Sequence, residues 1–182
     1  IEPGQGVSPK LNIPESWSAT TANQMKVLGV EQTELPLVNF SLIIDGGHML
    51  DSFDKNGVAN LMTDIMMEGT ANRTPQELEE AIELLGASIN MRTGNEAITI
   101  SGNTLVRNFR ETMDLVEEIL LNPRWDEEEL KRIKLSTINS IKRSSANPNV
   151  VSRNVRNKVL YGEKHMLAYP ISGSVTSVEA IT

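Results

Sequence analysis

The sequence predicts an α+β domain in which helices pack on one face of a largely antiparallel sheet. Strand-like segments come first, two helices follow, then a hairpin and three more helices, which is the order of segregated rather than alternating α/β elements. The apolar period changes from two in the strand-like segments to 3.6 in the helical ones. The 182 residues suit one domain or slightly more, and 39% are hydrophobic, which is enough for a core.

Composition excludes several classes of protein. A net charge of −7 argues against general nucleic-acid binding. The absence of Cys excludes disulfides, zinc–thiolate sites and thiol catalysis. No apolar run approaches membrane-spanning length. Because the chain begins at Ile1 rather than Met, we expect it to be part of a longer polypeptide.

The first part of the domain is predicted to contain strands. Residues 1–23 carry three Pro and two Gly without a period, so we interpret them as a linker or lead-in, and residues 24–182 as a single domain. Residues 24–31 and 35–45 read as strands. The second places Val38, Phe40, Leu42 and Ile44 on one face.

Two amphipathic helices follow. The first runs from about Gly57 and ends at Gly69-Thr70, with its apolar residues on one stripe. That stripe consists of Val58, Leu61, Met62, Ile65 and Met66. The second begins with Thr74, Pro75 and Glu77, which form a capping box, and ends at Gly86.

The remaining segments complete the α+β pattern. Residues 87–92 and 95–102 read as a hairpin around Thr93-Gly94. Helices are predicted over 106–121, over about 126–143 and over roughly 149–161. The apolar side of the first of them would carry Phe109, Met113, Val116 and Leu120.

Four segments together resemble one domain of the insulinase/pitrilysin family of zinc metallopeptidases, which includes the mitochondrial processing peptidases. They are LPLVNFSLIIDGG, GVANLMTDIMMEGT, TPQELEEAIELLGASINMRTG and LYGEKHMLAYPISGS, and the likeness covers about residue 24 to the end. Active members of that family carry an inverted H-x-x-E-H zinc motif on a helix that corresponds to the one from Gly57. The resemblance therefore implies a processing-peptidase-like domain.

The resemblance also implies that this domain has no catalytic residue and no metal of its own. Asn60 and Asp64 occupy the positions of the two zinc-binding His, and Thr63 occupies that of the catalytic Glu. The last zinc-binding Glu follows the second His by roughly 76 residues in the family, which leads to Ser140. An amide, two hydroxyls and a lone carboxylate neither bind zinc tightly nor deprotonate its water.

Two alternatives remain open for these positions. Asn60, Thr63, Asp64 and Met67 could form the solvent-facing stripe of an ordinary amphipathic helix. Asp64 could instead bind another cation and take part in catalysis directly.

By the same resemblance, the chain is a non-catalytic domain that walls the peptide chamber of a zinc metalloendopeptidase and supports substrate binding. Its partner would be the catalytic half of the same chain or a homologous subunit, which would carry the zinc, and its ligand would be a peptide. The resemblance further implies an incomplete C-terminus and favours the bacterial periplasm or envelope. The alternative is a non-proteolytic scaffold or assembly subunit related to respiratory-complex core proteins.

Two other features leave alternatives open. Eight basic residues and no acid lie between Lys131 and Leu160, which indicates either solvated helix faces or a patch that attracts acidic partners. His48 lies near Asp45, Asp51 and Asp54, which indicates either turn residues before the helix, with Asn56 as a cap, or a metal loop.

Overall fold

The computed structural model describes residues 14–182, which form two units that divide between Pro36 and Leu37. In the first unit, β1 (Ser16–Thr20) pairs antiparallel with β2 (Lys26–Val30) through a short turn. β1 lies in the segment predicted as a linker, so part of that segment is regular structure. The alternating apolar and polar pattern of a strand is not visible in this segment because small polar residues surround Trp17. Residues 1–13 of the predicted lead-in lie outside the described residues.

The second unit is built on an antiparallel sheet of β3 (Leu37–Asp45), β4 (Ser88–Thr93) and β5 (Ala97–Leu105) in the order β3-β5-β4. β5 pairs with both neighbours, with Leu42 opposite Ile100 on one side and Met91 opposite Ile100 on the other. This sheet confirms the predicted antiparallel arrangement and the predicted hairpin.

Helices complete the second unit at bounds close to those predicted. They are α1 (Val58–Met66), α2 (Pro75–Leu84), α3 (Phe109–Leu121), α4 (Glu127–Ser144), α5 (Pro148–Tyr161) and α6 (Val175–Ala180). Short 3-10 turns lie at His48–Leu50, Phe53–Lys55, Val106–Asn108 and Met166–Ala168. These turns were not predicted, because such short segments carry too few apolar repeats to show a period.

The helix starts illustrate what local sequence signals can and cannot show. Thr74 and Glu77 form the predicted capping box of α2. The expected cap of α1 is wrong: Asn56 is buried without capping the helix, and Gly57 occupies the cap position at φ 102°. Asp51 accepts hydrogen bonds from the amides of Gly57 (2.7 Å) and Ala59 (3.0 Å) instead. An acceptor six residues before the cap position falls outside the usual capping pattern.

Two apolar clusters form the core, and α1 contributes to both. Leu61 and Ile65 pack with residues of α4 and α6, whereas Met66 packs with the sheet, α2 and α3. The first cluster is completed by Ile133, Ile138, Val178 and Ile181. Burying a large aliphatic side chain stabilises a fold by roughly 1.5–3 kcal/mol.

The predicted apolar side of α3 is partly wrong. The buried residues of α3 are Thr112, Leu115, Val116 and Ile119, so the buried face is rotated from the predicted one. Phe109 is exposed, and its ring meets that of Phe40 edge-on, with 6.3 Å between the ring centroids. Polar Thr112 lies in the buried face because its hydroxyl is 2.8 Å from that of Thr104, which is also buried. On α1, Val58 is likewise exposed rather than buried.

Candidate functional site

Three of the four positions singled out in the sequence meet where α1 lies beside α4. Asn60 and Asp64, one helical turn apart on α1, line a cavity of about 280 Å³ together with Ser140 of α4. The apolar cluster that contains Leu61 and Ile133 lies behind them and holds the two helices together. The chain therefore brings these side chains together across nearly 80 positions of sequence.

A second cavity, of about 310 Å³, continues from the first toward the C-terminal end of α1. Asp64, Ser136 and Thr137 line both cavities, which together form what we call the α1–α4 groove. At the far end of the groove, the Arg132 guanidinium lies 2.6 Å from the Glu68 carboxylate and joins the two helices.

Asp64 is the acidic centre of the α1–α4 groove. Its Oδ2 accepts a hydrogen bond from the Asn60 side-chain amide at 3.1 Å. The side chain reaches solvent, but the groove walls partly desolvate it. Burial therefore raises the pKa of the Asp64 carboxyl, and the Glu68 carboxylate raises that pKa further.

Thr63 points inward, and its hydroxyl is already used within the fold. The residue is 1% exposed, and the hydroxyl donates to the Asn60 carbonyl at 2.9 Å. The same oxygen lies 3.1 Å from the Thr93 hydroxyl on β4, which in turn donates to the Ala59 carbonyl. Because Thr63 is buried, these α1 positions are not simply a solvent-facing stripe.

The donor set of the groove does not fit zinc. Zinc sites in proteins use His, Cys or carboxylate ligands, usually three or four together. The groove offers one free carboxylate, an amide and several hydroxyls. Among residues 14–182, no three His, Cys, Asp or Glu side chains are grouped so that they could hold a metal ion.

His48 makes the contacts of a residue that fixes the backbone. It is fully buried, with Nδ1 3.2 Å from Asp51 Oδ2. Its Nε2 faces the backbone carbonyls of Met166 (3.2 Å) and Tyr169 (3.1 Å). Each ring nitrogen therefore faces an oxygen of the fold, and His48 ties the turn before α1 to the 3-10 turn after α5. This geometry favours the turn interpretation of His48 over the metal loop.

Sequence reasoning missed most of the hydroxyl lining of the groove. On α4, serines recur every four residues at Ser136, Ser140 and Ser144. Ser172 lines the part of the groove next to the N-terminal end of α1. The four-residue spacing of the three α4 serines is visible in the sequence. It places them on one face of the helix. Only the position of α1 shows that this face lines a groove.

The chain has relatives among peptidases over most of its length. A profile described as Insulinase (Peptidase family M16) matches residues 26–173. The chain is 26% identical over 177 residues to the mitochondrial-processing peptidase subunit beta of Dictyostelium discoideum, which covers 93% of this chain and 36% of that protein. It is 23% identical over 155 residues to the uncharacterized zinc protease YmxG of Bacillus subtilis, which covers 85% of this chain and 38% of that protein.

Two solved structures share the fold. The crystal structure of a peptidase M16 inactive domain from Pseudomonas fluorescens superposes with a TM-score of 0.85 and 28% identity, over 92% of this chain and 40% of that chain. A protease from Helicobacter pylori gives a TM-score of 0.80 at 17% identity, over 93% of this chain and 41% of that one, and shows the fold alone. This chain thus spans well under half the length of these proteins. No helix among the described residues is long and apolar enough to cross a membrane.

Proposed function

The chain belongs to the insulinase family of peptidases, M16, and from that premise we propose that it is the non-catalytic domain of a zinc metalloendopeptidase. In this proposal the domain walls a peptide chamber and helps to hold the substrate. A companion catalytic half, in the same polypeptide or in a homologous subunit, supplies the zinc and the general base.

One observation carries this proposal. The helix pair that would present a metal site is intact, yet the side chains that meet there are an amide, a carboxylate and hydroxyls. The apolar cluster behind α1 and α4 and the ion pair between Arg132 and Glu68 keep the two helices together. In this proposal the chain keeps the framework of a peptidase site but has lost the groups that could bind zinc or deprotonate its water.

The α1–α4 groove has the chemistry of a surface that contacts peptides. Serine hydroxyls along α4 both donate and accept hydrogen bonds, so they can pair with the N–H and C=O groups of a peptide. Asp64 offers an acceptor at the centre of the groove, where partial desolvation strengthens hydrogen bonds. A groove of this kind can contribute binding energy to a substrate without taking part in cleavage.

The first test measures hydrolysis of an unstructured peptide by this chain, by the catalytic companion, and by the two together. We expect no turnover from this chain alone, and turnover by the mixture that exceeds that of the companion and is abolished by a chelator. Chelator-sensitive hydrolysis by this chain alone would contradict the proposal. No turnover from any combination would favour a non-proteolytic assembly subunit.

The second test restores the missing ligands. In the triple variant Asn60→His, Asp64→His and Ser140→Glu, three metal-binding side chains line the same cavity. We expect the purified variant to bind about one zinc per chain, because two His and one Glu form a complete protein ligand set. Elemental analysis measures this. The matched control replaces Ser140 with Glu alone and should not retain zinc. If the triple variant also fails to bind zinc, these positions do not correspond to a former metal site.

A further inference from the structure

The cavity that Asn60 and Ser140 line, at one end of the α1–α4 groove, has a single charged side chain in its lining. Apart from Asp64, this cavity of about 280 Å³ is lined by an amide, an isoleucine and five hydroxyls. Asp64 forms no ion pair with a described residue. We call this cavity the acidic pocket.

The bases of α4 near the groove leave the charge of the acidic pocket uncompensated. Arg132 is held by two other carboxylates, because its guanidinium lies 2.6 Å from Glu68 and 2.6 Å from Glu129. Lys142 and Arg143 are exposed in the last turn of α4, and neither lines a cavity of the groove. A ligand that enters the acidic pocket therefore meets a negative potential.

The hydrogen bonds already made in the acidic pocket leave acceptor atoms free. The Asn60 side-chain N–H donates to Oδ2 of Asp64, so the other carboxylate oxygen and the Asn60 amide oxygen accept no hydrogen bond from a described residue. The Ser144 hydroxyl donates to the Ile141 carbonyl at 2.9 Å, which leaves its oxygen available as an acceptor. Separate acceptors around one carboxylate suit a cationic group that only donates hydrogen bonds.

Among cationic groups, this arrangement favours an ammonium. An ammonium has three N–H donors that point in different directions, whereas a guanidinium pairs best with both oxygens of one carboxylate. One oxygen of Asp64 already accepts from Asn60, so both are not equally open to such a pair. The pocket volume lies just below the roughly 300–1,000 Å³ of small-molecule sites, which suits one side chain better than a whole ligand.

We propose that the acidic pocket binds the ammonium group of a lysine side chain in a bound peptide. This inference rests on the proposed function, in which the domain helps to hold the substrate, and it names the residue type that the groove selects. Asp64 supplies the opposite charge, while Asn60 and Ser144 supply acceptors for the remaining N–H groups. The aliphatic stem of the lysine lies along Ile141, the one apolar residue of the lining.

NMR titration of the ¹⁵N-labelled 182-residue chain tests this proposal. The ligands are short unstructured peptides with both ends blocked, which carry Lys, Arg or norleucine at one central position. We expect the lysine peptide to shift the Asp64 amide and the Asn60 side-chain amide saturably. The norleucine peptide should bind about tenfold more weakly or worse, because it lacks the charge-assisted hydrogen bonds. The arginine peptide should fall between the two.

Two matched variants identify the carboxylate that binds the ammonium. Asp64→Asn keeps the shape of the side chain and should lower the affinity for the lysine peptide by about tenfold or more, without changing that for the norleucine peptide. Asp114→Asn makes the same change at an exposed position of α3 outside the groove and should change neither affinity. The spectrum of each variant verifies that it is folded. An Asp64→Asn variant that binds the lysine peptide as well as wild type would overturn the proposal.

The remaining outcomes separate this proposal from the proposed function. Equal binding of the lysine and norleucine peptides would overturn the pocket as a cation site and leave the substrate-holding role standing. A peptide without Lys but with a free N-terminus that binds as well as the lysine peptide would overturn the assignment to a side chain. Absence of binding by every peptide would also overturn the pocket proposal. The proposed function fails separately, if this chain does not raise turnover of the lysine peptide by the catalytic companion.

Discussion

The two faces of α1 differ in what they contribute to the molecule. The apolar face, with Leu61, Ile65 and Met66, contacts both core clusters. The polar face, with Asn60 and Asp64, faces the groove beside α4. One helix thus carries residues that support the fold and, beside them, the positions that the proposed function assigns to a former metal site. Substitutions on the polar face can therefore change the groove without disturbing the core.

Thr63 lies between these two faces, and its side chain makes contacts that stabilise the fold. Its hydroxyl connects the α1 backbone to β4 through Thr93. We infer that replacing a catalytic acid at this position by Thr exchanges a chemical role for a structural one. A buried, hydrogen-bonded hydroxyl costs far less to desolvate than a buried carboxylate.

The largest expected effect on stability comes from a substitution in the apolar face of α1. Leu61→Ala removes a side chain that is 2% exposed and should lower the free energy of unfolding by about 2–5 kcal/mol, since it leaves a cavity between α1 and α4. Urea denaturation measures the change. Leu84→Ala, at an exposed position of α2, is the control and should change stability by less than about 0.5 kcal/mol. Equal losses in the two variants would contradict the assigned role of Leu61.

The next effect concerns the residue between the faces. Thr63→Val keeps the shape of the side chain and removes its hydroxyl, which should cost about 1 kcal/mol of stability. The cost stays moderate because Thr93 still donates to the Ala59 carbonyl. Thr137→Val on the opposite wall of the groove serves as the control and should be neutral. A neutral Thr63→Val would mean that the Thr63–Thr93 contact contributes nothing to stability.

A smaller effect is expected at the end of the groove. Arg132 and Glu68 join α4 to α1 but remain partly exposed. A double-mutant cycle with Arg132→Met and Glu68→Gln should give a coupling free energy of about 0.2–1 kcal/mol that decreases with added salt. A coupling that does not respond to salt would indicate that packing rather than charge joins the two helices here.

The smallest effect concerns the charge of Asp64. Burial raises the native pKa of this carboxyl, so the native state binds its proton more tightly than the unfolded chain does. The contribution of Asp64 to stability therefore falls as pH rises from near the unfolded pKa of about 3.9. Asp64→Asn should accordingly be more stable than wild type near neutral pH, by less than about 0.5 kcal/mol given the solvent contact of the side chain.

Urea denaturation of both proteins at several pH values measures this difference. The advantage of Asp64→Asn should vanish as the pH falls below the unfolded pKa of Asp. If the variant is instead less stable at neutral pH, then hydrogen bonds to the carboxylate, such as that from Asn60, outweigh its desolvation.

Much of this fold could be predicted from the sequence, and the failures share a cause. The capping box of α2, the hairpin of β4 and β5 and the bounds of α4 follow from local signals, and the structure confirms them. The buried face of α3 was predicted only in part, and the cap of α1 was predicted wrongly. In both cases a side chain just outside the helix decides the outcome. Thr104 accommodates Thr112 in the core, and Asp51 reaches across a turn to the start of α1.

The sequence by itself determined the family, the α+β class and the residue types at each position of the motif, because these depend on residue identity and on short spacings. The tertiary structure decided that Ser140 lies beside Asn60 and Asp64, that Thr63 points inward, and that a row of serines lines the groove. Helical periodicity fixes which residues share a face of a helix. Only the packing of one helix against another determines what that face meets.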